Sequence, residues 1–456
     1  MVAMPVLTTL HNFTGGADGG TPTAALVQGT DGNFYGTTYY GGAHNLGTVF
    51  RINSAGAFSN LYSFSGSSGD GANPYAGLVQ ATNGLFYGTT LAGGFLGGSF
   101  GATPLGTIFA INPAGGYGVV DFFGTNGAQP FAGLIQAGDG NLYGTTSAGG
   151  ANYIPAFGQM GPGAIIKVSL GGAITVLYSY NGVTDGINPE AGLVQGSDGY
   201  LYGTTYLGGS SGNCINVCGT LFKISTGGNY SLLQSGGNPR SGFIQGADGF
   251  FYGTTTSGGA GQGSVFRIDS AGTPARLHSF TNFVGEGTTP YAGLIQGSDG
   301  NFYGTTYTGG IANTGTVFRI TSSGALTTVY GFTGATDGAA PYAGLVQGID
   351  GNFYGTTSSG GASGGGTVFK LSVYLVPPAN QLQQITGIQI AGANVLVSLT
   401  SLAGKGYQLQ YRTSLGTAGW SNVLGAATNG FGGPLTLTDA GGDLQPQRFY
   451  RVVITP

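Results

Sequence analysis

Residues 293–310 read GLIQGSDGNFYGTTYTGG, and GTVFRI follows at Gly315–Ile320. The block recurs along the chain. Tyr-Gly-Thr-Thr begins at Tyr35, Tyr87, Tyr143, Tyr202, Tyr252, Tyr303 and Tyr354, at steps of 52, 56, 59, 50, 51 and 51 residues. A fixed period of this length marks a chain built from one supersecondary unit used repeatedly. Within each copy the apolar runs are short, rich in Val, Ile, Thr, Tyr and Phe, and divided by Gly and Asp-Gly, which is strand patterning. In the first copy the expected strands are Ala25–Gln28, Phe34–Thr38, Thr48–Ile52 and Phe58–Phe64.

Four strands in each of seven copies predict an all-β fold, a seven-bladed β-propeller. The ends of the array fit this reading. Residues Pro5–Phe13 match the fourth-strand segments Ile174–Tyr180 and Leu326–Phe332, while the last copy stops at its third strand, Thr367–Val373. The N-terminal strand is therefore expected to complete the seventh blade and close the ring, which removes two exposed edges. The propeller would span 1–375, and Val376-Pro377-Pro378-Ala379-Asn380 reads as a linker (376–380). Residues 381–456 carry strand-like runs at Ile385–Ile390, Val395–Leu399, Tyr407–Arg412, Leu435–Thr438 and Phe449–Ile454, which predict a small β-sandwich of fibronectin or immunoglobulin type. Trp420 reads as a core tryptophan of that small domain or, in the alternative, as a sugar-stacking residue.

Composition narrows the function. The 456 residues include 96 Gly without a three-residue period, so collagen is excluded, and 40% hydrophobic content supplies a core. Net charge is −4 and no Lys/Arg cluster occurs, which argues against nucleic acid and anionic membranes as partners. No apolar run is long enough to span a bilayer, and residues 1–10 lack the features of a signal peptide. Cys214 and Cys218 lie in a Gly/Ser/Asn-rich loop. They read as a small disulfide stapling that loop or as a redox or metal pair, and a disulfide would indicate an oxidising, extracytoplasmic setting.

The block at Gly293–Gly310 with Gly315–Ile320 resembles the GloVer tandem repeat of secreted or surface-attached bacterial proteins, and the likeness covers the first 375 residues. The tail, with YQLQY at Tyr407–Tyr411 and RFYRV at Arg448–Val452, resembles sandwich modules appended to secreted Verrucomicrobia-type proteins. The resemblance implies architecture and a secreted or cell-surface location. It lends no catalytic residues.

Repetition separates framework from candidates. Asp31, Asp139, Asp198, Asp248, Asp299 and Asp350, with Asn83, fill one slot before Gly, where a hairpin turn favours positive φ. The glutamines from Gln28 to Gln347 and the repeat tyrosines are framework as well. A fourth-strand slot holds His11, Tyr62, Asp121, Tyr178, Gln234, His278 and Tyr330, and this mixture predicts a solvated rim and no metal site.

The connections from second to third strand, and from fourth strand to the next copy, are long and should share one face, the candidate working surface. There, Asp18, Asp70, Asp185, Glu286 and Asp337 precede Gly and read as turn caps or, in the alternative, as an ion site with calcium as the candidate ion. No other cofactor is indicated. Five residues on lies a slot at the start of the innermost strand: Thr23, Tyr75, Phe131, Glu190, Arg240, Tyr291 and Tyr342. With His44 and Tyr153 from the loops, this set predicts binding of a neutral polysaccharide or cell-surface glycan, because rings stack on sugar faces without charge. Glu190 reads as a general acid or base, as a hydrogen-bond partner of a sugar hydroxyl, or as an ion pair with Arg240. A glycoside hydrolase would use Glu190 with Asp185 or Glu286, a lyase Arg240 with Tyr or His44. The remaining alternative is a surface structural or adhesion protein.

Overall fold

In the computed structural model, residues 5–67, 69–94, 105–124, 126–151, 161–182, 184–211, 214–215, 219–236, 239–258, 260–281, 283–373, 385–391, 393–400, 405–412, 421–429, 434–440 and 448–455 are described. They contain no helix. Two compact parts are present, Met1–Gly348 with Asn352–Tyr374, and Ile349–Gly351 with Leu375–Pro456.

The first part holds seven antiparallel four-stranded sheets. The first repeat forms strands Val27–Gln28, Phe34–Thr38, Thr48–Ile52 and Phe58–Ser63, paired in that order. The innermost strand is shorter than expected. Strand Val6–Asn12 pairs antiparallel with Thr367–Ser372, the third strand of the last repeat, from Val6↔Ser372 to Asn12↔Thr367.

The repeated motif couples each sheet to the next. The first Thr of Tyr-Gly-Thr-Thr donates its hydroxyl to a backbone carbonyl of the following repeat: Thr37 to Ala76 (3.1 Å), Thr254 to Ala292 (2.9 Å), Thr305 to Ala343 (2.9 Å). Thr356 of the last repeat donates to Ala24 of the first at 3.2 Å, so the series returns to its start. The second Thr meets the Thr that opens the third strand, as in Thr38 and Thr48 at 2.8 Å. The Tyr is buried, stacks on the next repeat (Tyr35 on Phe86, 4.0 Å) and donates its hydroxyl to the turn carboxylate (Tyr35 to Asp31, 2.7 Å). Burying one such ring contributes roughly 1.5–3 kcal/mol. The glutamines do the same work between turns: Gln80 accepts from the Thr30 N–H at 2.8 Å.

One expectation is corrected at that turn. Asp31 accepts from the Asn33 N–H and the Tyr35 hydroxyl and does not itself take positive φ, which falls to Gly32 (φ 81°). The turn closes from Gly32 N–H to the Gly29 carbonyl, as in a three-residue loop ended by a left-handed glycine.

The glycine of Tyr-Gly-Thr-Thr is set by packing. A Cβ on Gly304 would stand 2.6 Å from Phe318 Cζ and 2.7 Å from Leu294 Cδ2. Gly144 meets only Leu134 that closely, because Ile166 replaces the Phe. Gly304→Ala is expected to destabilise by about 1–3 kcal/mol and Gly144→Ala by less. Equal denaturation midpoints for the two variants would contradict this.

In the second part, Ile385–Ala391, Asn394–Thr400 and Pro434–Asp439 form one three-stranded sheet, and Ser421–Asn429, Gly406–Arg412 and Phe449–Thr455 another. Val397, Leu399 and Leu437 of one share a core with Tyr407, Leu409 and Val423 of the other. Strand Ser421–Asn429 was not expected. Its Gly425 at φ 75° and the two alanines after it are weak strand formers, and its pairing with Gly406–Arg412 is broken by an irregularity between Gln408 and Gln410. Trp420 and 376–380 lie outside the described residues.

Candidate functional site

Six of the repeats reach the centre through the same backbone device. A proline follows the long connection: Pro22, Pro74, Pro130, Pro189, Pro239, Pro290 and Pro341. The residue before it takes positive φ at Thr21, Asn73, Gln129, Asn188, Thr289 and Ala340, between 53° and 56°. That conformation is costly for a residue with a Cβ, and more so before proline. Two backbone hydrogen bonds clamp it in place. The Thr289 N–H donates to the Gln262 carbonyl at 2.9 Å, and its carbonyl accepts from the Tyr307 N–H at 3.1 Å. Each proline packs on the glycine that opens the previous repeat's third strand, as Pro341 does at Gly315. A strained, over-determined residue thus aims the side chain two positions later.

The side chains that follow these prolines are the seven expected. Thr23, Tyr75, Phe131, Glu190, Arg240, Tyr291 and Tyr342 line one cavity of about 310 Å3. Tyr291 and Tyr342 stack with ring centroids 4.7 Å apart, and Tyr75 meets Phe131 edge-on at 5.3 Å and Tyr342 at 5.7 Å. The Thr23 hydroxyl donates to the Tyr75 carbonyl. Arg240 Nη1 lies 3.2 Å from Glu190 Oε2, and the Arg240 guanidinium lies over the Tyr206 ring at 3.9 Å. The only charges among the seven therefore neutralise each other. Burial pushes the Glu190 carboxyl above its ordinary value, against the opposing pull of Arg240. Burial, and then the neighbouring Tyr342 hydroxyl, push Tyr75 far up as well.

The two long connections do share a face. They pair with each other at Gly20↔Tyr40, Ala128↔Ala148, Ile187↔Leu207 and Ala339↔Ser359, and as Gly71–Ala72 with Ala92–Gly93.

A model of the Gloeobacter/Verrucomicrobia repeat matches residues 97–237 and 213–419, together well over half of the chain. The chain belongs to the Gloeobacter/Verrucomicrobia repeat family. No curated protein matches this repeat protein. Among solved structures, a luciferin-regenerating enzyme is similar at 11% identity, covering 82% of this chain and 97% of its own, with a TM-score of 0.43. An ulvan lyase, a polysaccharide lyase, is similar at 10% identity, covering 84% and 92%, with a TM-score of 0.45. A gluconolactonase from Xanthomonas campestris is similar at 14% identity, covering 58% and 78%, with a TM-score of 0.37.

Other residues singled out in the repeat protein lie elsewhere. Asp185 is buried, and accepts from the Tyr178 hydroxyl (2.6 Å) and the Asn181 N–H (2.9 Å). It is not among the residues that line the cavity. His44 is exposed on its loop and does not line it either. Tyr153, Cys218 and the side chain of Cys214 lie outside the described residues.

The fourth-strand slot is not a solvated rim. His11, Tyr62, Tyr178, His278 and Tyr330 are partly buried and contact Asp18, Asp70, Asp185, Glu286 and Asp337, at 3.1, 3.0, 2.6, 2.7 and 3.0 Å. The carboxylates also accept from backbone N–H groups of Thr14, Ser65, Asn181, Thr281 and Thr333 and so cap their turns. The pairing of every fourth strand with its third strand shifts register, as at Leu61, which is passed over between Tyr62 opposite Val49 and Asn60 opposite Phe50, and this re-aims the slot residue. Among the described residues no group of three or more His, Cys, Asp or Glu is placed to hold a metal, and no helix is long and apolar enough to cross a membrane.

Tyr206 was missed. Its signal was legible, since Tyr also follows Tyr-Gly-Thr-Thr at Tyr39 and Tyr307, and these rings contact Tyr75 (5.9 Å) and Tyr291 (5.2 Å).

Proposed function

We propose that the repeat sheets are the blades of a seven-bladed β-propeller closed by the N-terminal strand, that 376–380 is a linker to a β-sandwich at 381–456, and that the protein is a secreted or cell-surface module binding neutral polysaccharide. The observation that carries this reading is the cavity at the start of the innermost strands. Four aromatic rings occupy one slot there, beside an internally neutralised ion pair. Such a surface offers stacking planes and hydrogen-bonding groups to a sugar, and no net charge to attract an ionic ligand. At about 310 Å3 the cavity is at the small end for ligand sites, so it suits a single sugar ring or a chain end better than an internal stretch.

The test is a panel of neutral polysaccharides and oligosaccharides scored for retention of the folded protein and for newly formed chain ends. Retention on a neutral glycan is expected, weakened about tenfold by Tyr291→Ala through loss of one stacking plane. No retention on any member of the panel would end this reading. A hydrolase reading is favoured by one observation, the raised carboxyl of Glu190, which suits a general acid. New chain ends that vanish in Glu190→Gln, with retention preserved, would select it.

A further inference from the structure

The fourth repeat departs from the other six at one place. Six fourth strands are followed by a buried ring, at Phe13, Phe64, Phe123, Tyr180, Phe280 and Phe332. The fourth has Gly236 there. Its connection is also short: Pro239 follows Gly236 by three residues, where Pro22 follows Phe13 by nine. The missing stretch would hold the capping carboxylate, and the slot that meets it in five other repeats holds Gln234.

This leaves a cavity of about 270 Å3, lined in part by Gln234, Pro239, Thr255, Ser264, Phe266 and Arg276. In five other repeats the corresponding buried ring meets a third-strand Phe edge-on at 5.2 to 5.9 Å, as Phe13 meets Phe50. Phe266 has no ring from that position; Phe243 meets it edge-on at 5.9 Å from another side, and Phe266 is 9% exposed, where Phe50 is 0%. Gln234 Oε1 is buried without a hydrogen-bond partner among the described residues.

Arg276 stands opposite Phe266 in the strand pair. The residues at that register elsewhere, Asn60, Thr328 and Thr9, donate to carbonyls of the preceding connection, at Ala17, Gly285 and Thr336. With its connection shortened, Arg276 has no carboxylate partner among the described residues.

We infer that this cavity binds a small aromatic carboxylate. The ligand ring takes the place that Phe or Tyr fills in the other repeats, against the edge of Phe266. Its carboxylate takes the place of the missing turn acid, held by the Arg276 guanidinium and the Gln234 amide. A half-turn of that amide presents Nε2 as donor, the role that the Tyr62, Tyr178 and Tyr330 hydroxyls play toward their acids. The volume is adequate, since an apolar cavity of about 150 Å3 holds benzene. The site involves the fourth strand and its neighbour and is separate from the central cavity, so it stands independently of polysaccharide binding.

Titration of the full chain with phenylacetate, followed by calorimetry, tests it, with benzyl alcohol as the neutral probe. Saturable one-to-one binding of phenylacetate is expected, with benzyl alcohol weaker by about tenfold or more because it lacks the charge-assisted contact. Arg276→Gln should remove that preference. Pro274→Tyr restores the residue type found at Tyr117 and Tyr230 and should block both probes, with thermal melting confirming that the variant is folded. No saturable binding of phenylacetate to the folded wild type, or binding untouched by both substitutions, would overturn the assignment.

Discussion

A chain beginning at Thr14 is expected to lose cooperative folding of the repeat part at ordinary temperature. Phe13 is fully buried in a cluster that joins Phe34, Phe50 and Ile52 of the first repeat to Tyr354 and Val368 of the last. Removing that ring alone costs about 3–5 kcal/mol, against a net stability of about 5–15 kcal/mol for a domain. The truncation also strips the partner from Thr367–Ser372, which leaves an apolar strand as an open edge. Thermal melting by circular dichroism, with light scattering for association, reads both effects. A synthetic peptide of residues 1–13 should recover part of the transition by adding back the strand. A truncated chain that melts within a few degrees of the full one, without the peptide, would show that the first strand is not what joins the ends.

The legible parts of this fold are those where one physical requirement repeats without variation. Phe34–Thr38 and Thr48–Ile52 were read to the residue, because Tyr, Thr and Gly there meet equivalent neighbours in most repeats. The terminal pairing was legible because Leu10-His11-Asn12-Phe13 carries the fourth-strand pattern. The central slot was legible through its variation, with Glu190 and Arg240 interrupting a run of aromatic residues. What escaped was pairing between two variable positions. His11 with Asp18 and His278 with Glu286 are each seven or eight residues apart, across a connection of uneven length, so neither periodicity nor spacing marks them. The prolines before the site were visible and unread, because their meaning lies in the positive φ of the preceding residue, which no side-chain pattern announces. Gly236 is the opposite case. The absence of a ring there can be read only once the other six rings are known to be buried.

Arg240→Ala should be the most damaging single change at the central cavity, and its damage should depend on pH. The guanidinium lies 3.2 Å from Glu190 and 3.9 Å from the Tyr206 ring centre, so its loss leaves a partly buried carboxylate without its partner and a ring without its cover. Removing one member of a fully buried pair costs about 3–5 kcal/mol; with side chains 28% and 19% exposed, about 1–3 kcal/mol is expected here. Burial already raises the Glu190 carboxyl in the presence of Arg240, and without that cation it must rise further. A carboxyl raised in the folded state holds its proton more tightly there than in the unfolded chain. Stability is therefore greatest below the ordinary glutamate range and falls as pH rises through the folded value. The variant should lie closest to wild type near pH 4 and lose most at neutral pH, measured by denaturant midpoints at each pH. Glu190→Gln in the same background removes the titrating group, so the double variant should recover stability at pH 7 and lose the pH dependence. A deficit that is flat with pH and persists in the double variant would assign the damage to the lost Tyr206 contact, and the ion pair would carry no weight in holding the mouth of the cavity.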